Sequence, residues 1–227
     1  VNGARWTGLA LALAVAGFVW VRDVAWLSAA SDALPALVAF PLAVWLGRPW
    51  HWRPDARPAR PAVFAGAIPL FILGAALDLT LLLAIGWSIG LVGWLRPQLQ
   101  RDADPGLRGL GVLLVCGFPW IVLDGQALGW WFRFSGAAAS EVFFRGLALD
   151  VIREGTLLRV EGLPLSVDPA CSGLNALQAM LVAGVGLACV LLRGKRFWIG
   201  VALLLPLAWL ANTARIIFLG FIGLSFG

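Results

Sequence analysis

Apolar residues run in long blocks along the chain, broken by short clusters of arginine, proline and acidic residues. A membrane span needs about 20 apolar residues, with a range of about 17–25. Residues 7–21 form a first candidate, a little short and completed by flanking positions. Residues 33–47 form a second, with Pro35 and Pro41 placed to kink it. The stretch 48–61 sets Arg48, Arg53, Arg57 and Arg60 against Asp55 among repeated prolines, and predicts a solvated, non-helical basic loop. Residues 62–95 are too long for one span, since at about 1.5 Å per residue they would reach about 51 Å. Either one helix overshoots or two short spans turn near Asp78. Charge decides between them. Arg96, Arg101 and Arg108 mark the next loop, and Arg193, Lys195 and Arg196 a later turn. With two spans, all three basic loops fall on one side, as the positive-inside rule favours.

A fifth span is expected over 109–124, which leaves 125–170 outside the cytoplasm. Trp130, Trp131, Phe132, Phe134, Phe143 and Phe144 mark 130–147 as a helix lying at or dipping into the interface, where amphipathic aromatic rings are favoured. The period then changes to two. Residues 149–153, 156–160 and 163–167 alternate, separated by Glu154-Gly155 and Glu161-Gly162, and predict a small β-meander. Two further helices are expected over 172–192 and 197–215, joined by a four-residue turn.

Composition agrees with this pattern. The 227 residues are 61% apolar and 13% charged, with a mean hydropathy of +0.89. A soluble domain carries about 25% charged residues, so a water-soluble globule and a disordered chain are both excluded. The fold class is an all-α polytopic membrane protein with about seven transmembrane helices, an interfacial helix and a small extracytoplasmic β-meander. It forms one integral membrane domain over 1–227. Residues 1–124 hold five N-terminal spans, 125–170 the extracytoplasmic elements, and 171–227 a catalytic helix pair with the start of a further span. The net charge of +5 belongs to cytoplasmic loops and not to a nucleic-acid surface, because no soluble basic domain exists to carry one. Arg5, the apolar run 7–21 and Ser28-Ala29-Ala30 outline a signal peptide, but Arg22 and Asp23 interrupt the cleavage region, and an uncleaved first span is expected.

Cys116, Cys171 and Cys189 are too few and too scattered for a disulfide framework or a zinc site. His51 is the only histidine, which disfavours a Ser-His-Asp triad and a histidine-rich metal site. No metal or other cofactor is expected. The informative polar residues flank the last two helices. Asp168-Pro169-Ala170-Cys171-Ser172-Gly173-Leu174-Asn175 precedes one, and Asn212-Thr213-Ala214-Arg215 ends the other. Antiparallel helices over 172–192 and 197–215, about 31 and 28 Å long, bring Cys171 and Arg215 out at nearly the same extracytoplasmic depth. A thiol attacks as thiolate, and a free thiol with a pKa near 8.5 is mostly protonated at neutral pH. A helix N-terminus favours the anion at Cys171, and an adjacent guanidinium favours it further and can hold a developing oxyanion. Asn212, three residues before Arg215, shares its helix face and can orient it or bond a substrate carbonyl. Blander roles stand beside these. Cys116 and Cys189 read as small apolar filler, Arg215 alone suits snorkelling to headgroups, and Asn212 alone suits helix–helix association.

Pro169-Ala170-Cys171-Ser172-Gly173-Leu174, followed by a span, a basic turn and Asn212-Thr213-Ala214-Arg215-Ile216, resembles the exosortase/archaeosortase family. The specific likeness covers residues 140–217, and upstream it is mainly hydropathy and span order. The resemblance implies a multi-pass bacterial inner-membrane cysteine transpeptidase or protease with its active site facing the periplasm. Its partners would be exported proteins bearing a C-terminal sorting signal: a short Pro-rich (PEP-CTERM-like) motif, a transmembrane helix and a basic tail. Cys171 maps onto the family's nucleophile and Arg215 onto its arginine, with Asn212, Ser172 and Gly173 as binding or orienting residues. The family's third residue, His in exosortases and often Arg in archaeosortases, lies beyond the next apolar stretch, and this chain ends at Gly227 before it. His51, in the cytoplasmic loop, does not replace it. The expectation is a truncated chain or an incomplete, weakly active member. Two other classes compete: an inactive membrane scaffold or channel component, and a small-molecule transporter. Transporters carry inverted repeats and midplane ionisable residues, whereas this sequence shows no internal repeat, and Asp78, the only acid deep in an apolar stretch, is expected at a turn.

Overall fold

A computed structural model describes residues 2–28, 30–55, 59, 61–100, 105–166 and 174–226. They form two compact units: Val1–Asp124 with Leu181–Val201, and Gly125–Met180 with Ala202–Gly227.

In the first unit, α1 (Asn2–Val21) leads through a 3-10 turn (Ala25–Leu27) to α2 (Ala30–Leu46), which contains Pro35 and Pro41. The apolar stretch 62–95 is divided as the charge pattern predicts, into α3 (Pro61–Ala76) and α4 (Thr80–Leu95). Asp78 makes the turn with φ 58° and pairs with Arg22 at 2.9 Å. The two helices close tightly because Gly86 has no Cβ; one there would lie 2.9 Å from the Ala67 carbonyl oxygen and the Phe71 nitrogen. Small residues permit this backbone approach. α4 has no capping side chain of its own. Asp124 supplies one from a distance, its Oδ2 accepting the Leu81 N–H at 2.7 Å. At the other end of the hairpin the two basic loops meet. Arg53 N–H donates to the Gln98 carbonyl and Gln100 N–H to the His51 carbonyl, both at 2.8 Å, around a Trp52–Leu99 bridge.

The expected span 109–124 is corrected. It is two helices, α5 (Pro105–Cys116) and α6 (Trp120–Asp124). Pro119 has no N–H to continue the helix and disfavours helical backbone before it. The Gly117 carbonyl accepts the Trp20 indole N–H at 3.0 Å instead. Phe118, at the break, is fully buried and meets Trp20, Phe40 and Trp87 with ring centroids 5.2–6.4 Å apart.

In the second unit, α7 (Gln126–Gly146) covers the predicted interfacial helix. The predicted meander follows as β1 (Val151–Glu154), β2 (Leu157–Val160) and β3 (Leu163–Ser166), antiparallel in that order. Glu161 and Gly162 both take positive φ, at 51° and 79°, the requirement of a two-residue type I′ turn. Val151, Leu158 and Val160 pack against Ala137 and Phe144 of α7 and Ile216 further along the chain. Glu141 clamps the sheet edge, accepting from Arg153 Nε at 2.6 Å and Arg145 at 2.8 Å.

α8 (Leu174–Leu191) and α9 (Lys195–Phe226) pass from one unit into the other. α9 differs from the expected 197–215. Its 32 residues run through Pro206 and Arg215 without interruption, about 48 Å at 1.5 Å per residue. The residues after Arg215 are therefore a continuation of this helix and not the start of a further span. Polarity at Arg215 does not end it, because a helix satisfies its own backbone whatever its side chains carry.

Among the described residues, α9 is the one helix long and apolar enough by itself to cross a membrane. Of the others that were expected to span, α1 and α8 hold 20 and 18 residues, and three are shorter: 17 residues in α2 and 16 each in α3 and α4. At about 1.5 Å per residue these give roughly 24–26 Å, against a hydrocarbon core of about 30 Å. Seven full-length spans are thus not seen, because these three fall short and the fifth is divided at Pro119. The turn at Asp78 and the break at Pro119 account for much of the shortfall, and bilayer thinning or flanking residues accommodate short helices of this kind. Apolar side chains face outward, as lipid contact requires: Leu11 on α1 is 66% exposed and Phe218 on α9 is 64%.

Candidate functional site

Cys171, Ser172 and Gly173 lie outside the described residues. The other half of the sequence motif is placed on α9, within the second unit. Asn212 and Thr213 are buried, whereas Arg215 is exposed and forms no ion pair with the described residues. Asn212, Thr213 and Ile216 meet α7 at Gly136. A Cβ on Gly136 would lie 3.1 Å from Ile216 Cδ1, 3.5 Å from Thr213 Oγ1 and 4.0 Å from Asn212 Nδ2, so α9 rests on bare backbone there. One turn earlier, Trp209 Nε1 donates to Ser135 Oγ at 2.9 Å, and Ser135 Oγ donates to the Trp131 carbonyl at 2.6 Å. Thr213 Oγ1 donates to the Trp209 carbonyl at 2.9 Å.

Three polar side chains of this unit are buried without a hydrogen-bond partner among the described residues. Asn212 Nδ2 has no hydrogen bond, nor has Ser140 Oγ, one turn beyond Gly136 on α7. Gln178, in the first two turns of α8, is 1% exposed and has neither an acceptor for Nε2 nor a donor for Oε1. An unmade hydrogen bond of a buried polar group costs about 1–3 kcal/mol, and buried polar groups in folded proteins are nearly all paired. Asn212 does not hydrogen-bond Arg215; its amide turns toward α7.

Sequence reasoning had not singled out Ser140 and Gln178. A signal was available for Gln178: an uncharged polar residue seven positions after Cys171, in an otherwise apolar run. Ser140 gave none, since a serine among alanines is ordinary in a helix. The other cysteines are packed as apolar side chains. Cys116 is buried in α5, and Cys189 Sγ would lie 2.9 Å from a Cβ on Gly109. His51 sits in the paired basic loops of the first unit.

No curated protein and no solved structure matches the chain. A family model described as transmembrane exosortase (Exosortase_EpsH) matches residues 7–227, a stretch that includes the Ala170-Cys171-Ser172-Gly173 run, the α7–α9 contact at Gly136, and Asn212 with Arg215. By this match over nearly its whole length, the chain belongs to the transmembrane exosortase family.

Proposed function

We propose that the protein is a membrane cysteine transpeptidase or protease that cuts the C-terminal sorting signal of exported proteins at the periplasmic face of a bacterial inner membrane. The observation that carries this reading is the family match over 7–227, because it spans Cys171, three positions before the first residue of α8 in the sequence, and an arginine on α9.

In this reaction the Cys171 thiolate attacks the scissile carbonyl carbon, forming a C–S bond and moving the carbonyl pair onto oxygen. The Arg215 guanidinium stabilises that oxyanion with planar, charged donors. Collapse breaks the C–N bond, and the leaving amine takes a proton, carrying away the transmembrane helix and basic tail. Water or an acceptor amine or hydroxyl then attacks the thioester and releases the thiolate. Asn212 Nδ2, the Gln178 amide and the Ser140 hydroxyl, unpartnered among the described residues, support the reading, since a peptide backbone offers N–H and C=O groups to polar side chains of these kinds. Ser172 and Gly173 are proposed to complete the cradle around the sulfur.

The test is processing of a tagged substrate carrying a sorting signal. Cys171→Ala should accumulate uncut precursor, while Cys116→Ala and Cys189→Ala should process normally. Normal cleavage by Cys171→Ala removes Cys171 as the nucleophile, and absence of cleavage by the unaltered protein favours the inactive scaffold.

A further inference from the structure

Between α1, α2, α4 and α5 of the first unit lies a cavity of about 300 Å³ walled by hydrocarbon and ring faces alone. Phe40, Trp50, Trp52 and Trp87 form its aromatic wall. Two of these tryptophans keep their polar edge out of it. Trp50 Nε1 donates to the Val44 carbonyl at 3.0 Å and Trp87 Nε1 to the Ala12 carbonyl at 2.8 Å. Leu13 and Val44 also line the cavity and are 65% and 53% exposed, so it opens on the outer surface between α1 and α2. A polar solute finds no hydrogen bond inside. A hydrocarbon chain entering sideways from the bilayer finds only favourable contact.

The end of the cavity at Trp52 is cationic. Arg5 holds its guanidinium carbon 5.6 Å from the centroid of the Trp52 ring, itself part of the cavity wall, and donates Nη2 to the Arg53 carbonyl. The same guanidinium has a further donor, Nε, with no acceptor among the described residues. Arg48, Arg53 and Arg96 stand on the two paired loops at this end, against Asp55 as the acid among their described residues. A dry slot beside an arginine with a donor to spare is complementary to an amphiphile with an apolar tail and an anionic head. The volume is at the lower limit of the roughly 300–1,000 Å³ typical of ligand cavities, room for part of one chain and not for two.

The geometry points to a bound anionic glycerophospholipid, one acyl chain between α1 and α2 and its phosphate at Arg5. The site rests on the protein's residence in a membrane and is independent of the role of Cys171. The experiment reconstitutes the full chain in nanodiscs of equal phosphatidylglycerol and phosphatidylcholine, extracts it in neutral detergent, and counts retained lipids by native mass spectrometry. One phosphatidylglycerol should remain per chain, preferred over phosphatidylcholine by roughly fivefold for each arginine engaged. Arg5→Gln should lower phosphatidylglycerol retention by roughly fivefold and leave phosphatidylcholine unchanged. Leu13→Trp, an exposed position at the opening, should lower retention of both, whereas Leu73→Trp, exposed on α3 away from the cavity, should not. Equal retention of the two lipids, or phosphatidylglycerol retention unaltered by Arg5→Gln and Leu13→Trp, would overturn the proposal.

Discussion

The Trp209 indole N–H donates to the Ser135 hydroxyl at 2.9 Å, and this bond fixes α9 against α7 one turn before Asn212. Because Ser135 also donates to the Trp131 carbonyl, losing the indole donor leaves no hydroxyl proton stranded. Trp209→Phe should therefore cost about 1 kcal/mol, the net worth of one hydrogen bond, and Trp209→Ala about 3–5 kcal/mol through lost packing. Thermal unfolding in a fixed detergent measures both. Equal losses for the two variants would show that the bond, and not the ring, holds the pair together.

Gln178 offers a prediction with two opposite signs. If its buried amide waits for substrate, Gln178→Leu removes an unpaired polar group and should stabilise the resting protein by about 1–3 kcal/mol. The same variant should process substrate more slowly, because the peptide loses two hydrogen bonds. A destabilised Gln178→Leu protein would mean that the amide serves the fold.

Arg215 is tested by keeping its charge and removing its shape. Lysine is a point charge without the forked donors that bond two partners at once, and losing one oxyanion donor costs about 100–1,000-fold in rate. Arg215→Lys should fall near that range at matched membrane expression, read as uncut precursor. Near-normal processing would leave Arg215 as an exposed side chain reaching for headgroups.

The broken α5–α6 pair sets the topology of everything after it. Reporter fusions at Gln100 and Glu154 should report opposite sides of the membrane if α5 and α6 together cross it. The same side for both would make the Pro119 break a re-entrant turn.

Much of this architecture was legible in the sequence wherever two independent signals coincided. The α3–α4 turn needed both an overlong apolar stretch and a loop-charge argument, and it falls at Asp78 as that argument requires. The meander needed period-two alternation and glycines at the turns, and its strands match to within two residues. Single signals misled. Hydropathy runs straight through Pro119, although a missing N–H divides the helix there. Arg215 read as a helix end because charge is expensive in lipid, yet backbone hydrogen bonding carries α9 eleven residues further, to Phe226. For the site, the motif named Asn212 and Arg215, but it did not reveal that Asn212 turns toward α7 or that Ser140 and Gln178 are buried unpaired. Burial depends on which helices meet, and periodicity in one helix does not encode its neighbour.

The cap on α4 has a consequence for how the chain is made. The Asp124 carboxylate that receives the Leu81 N–H stands 43 residues later in the sequence. Chains emerge N-terminus first, so Asp124 is synthesised only after the α3–α4 hairpin it caps. The hairpin is completed only when α5, the Pro119 break and α6 have followed it out of the ribosome. The α4 entrance is thus capped by a side chain that does not yet exist when α4 itself has been made.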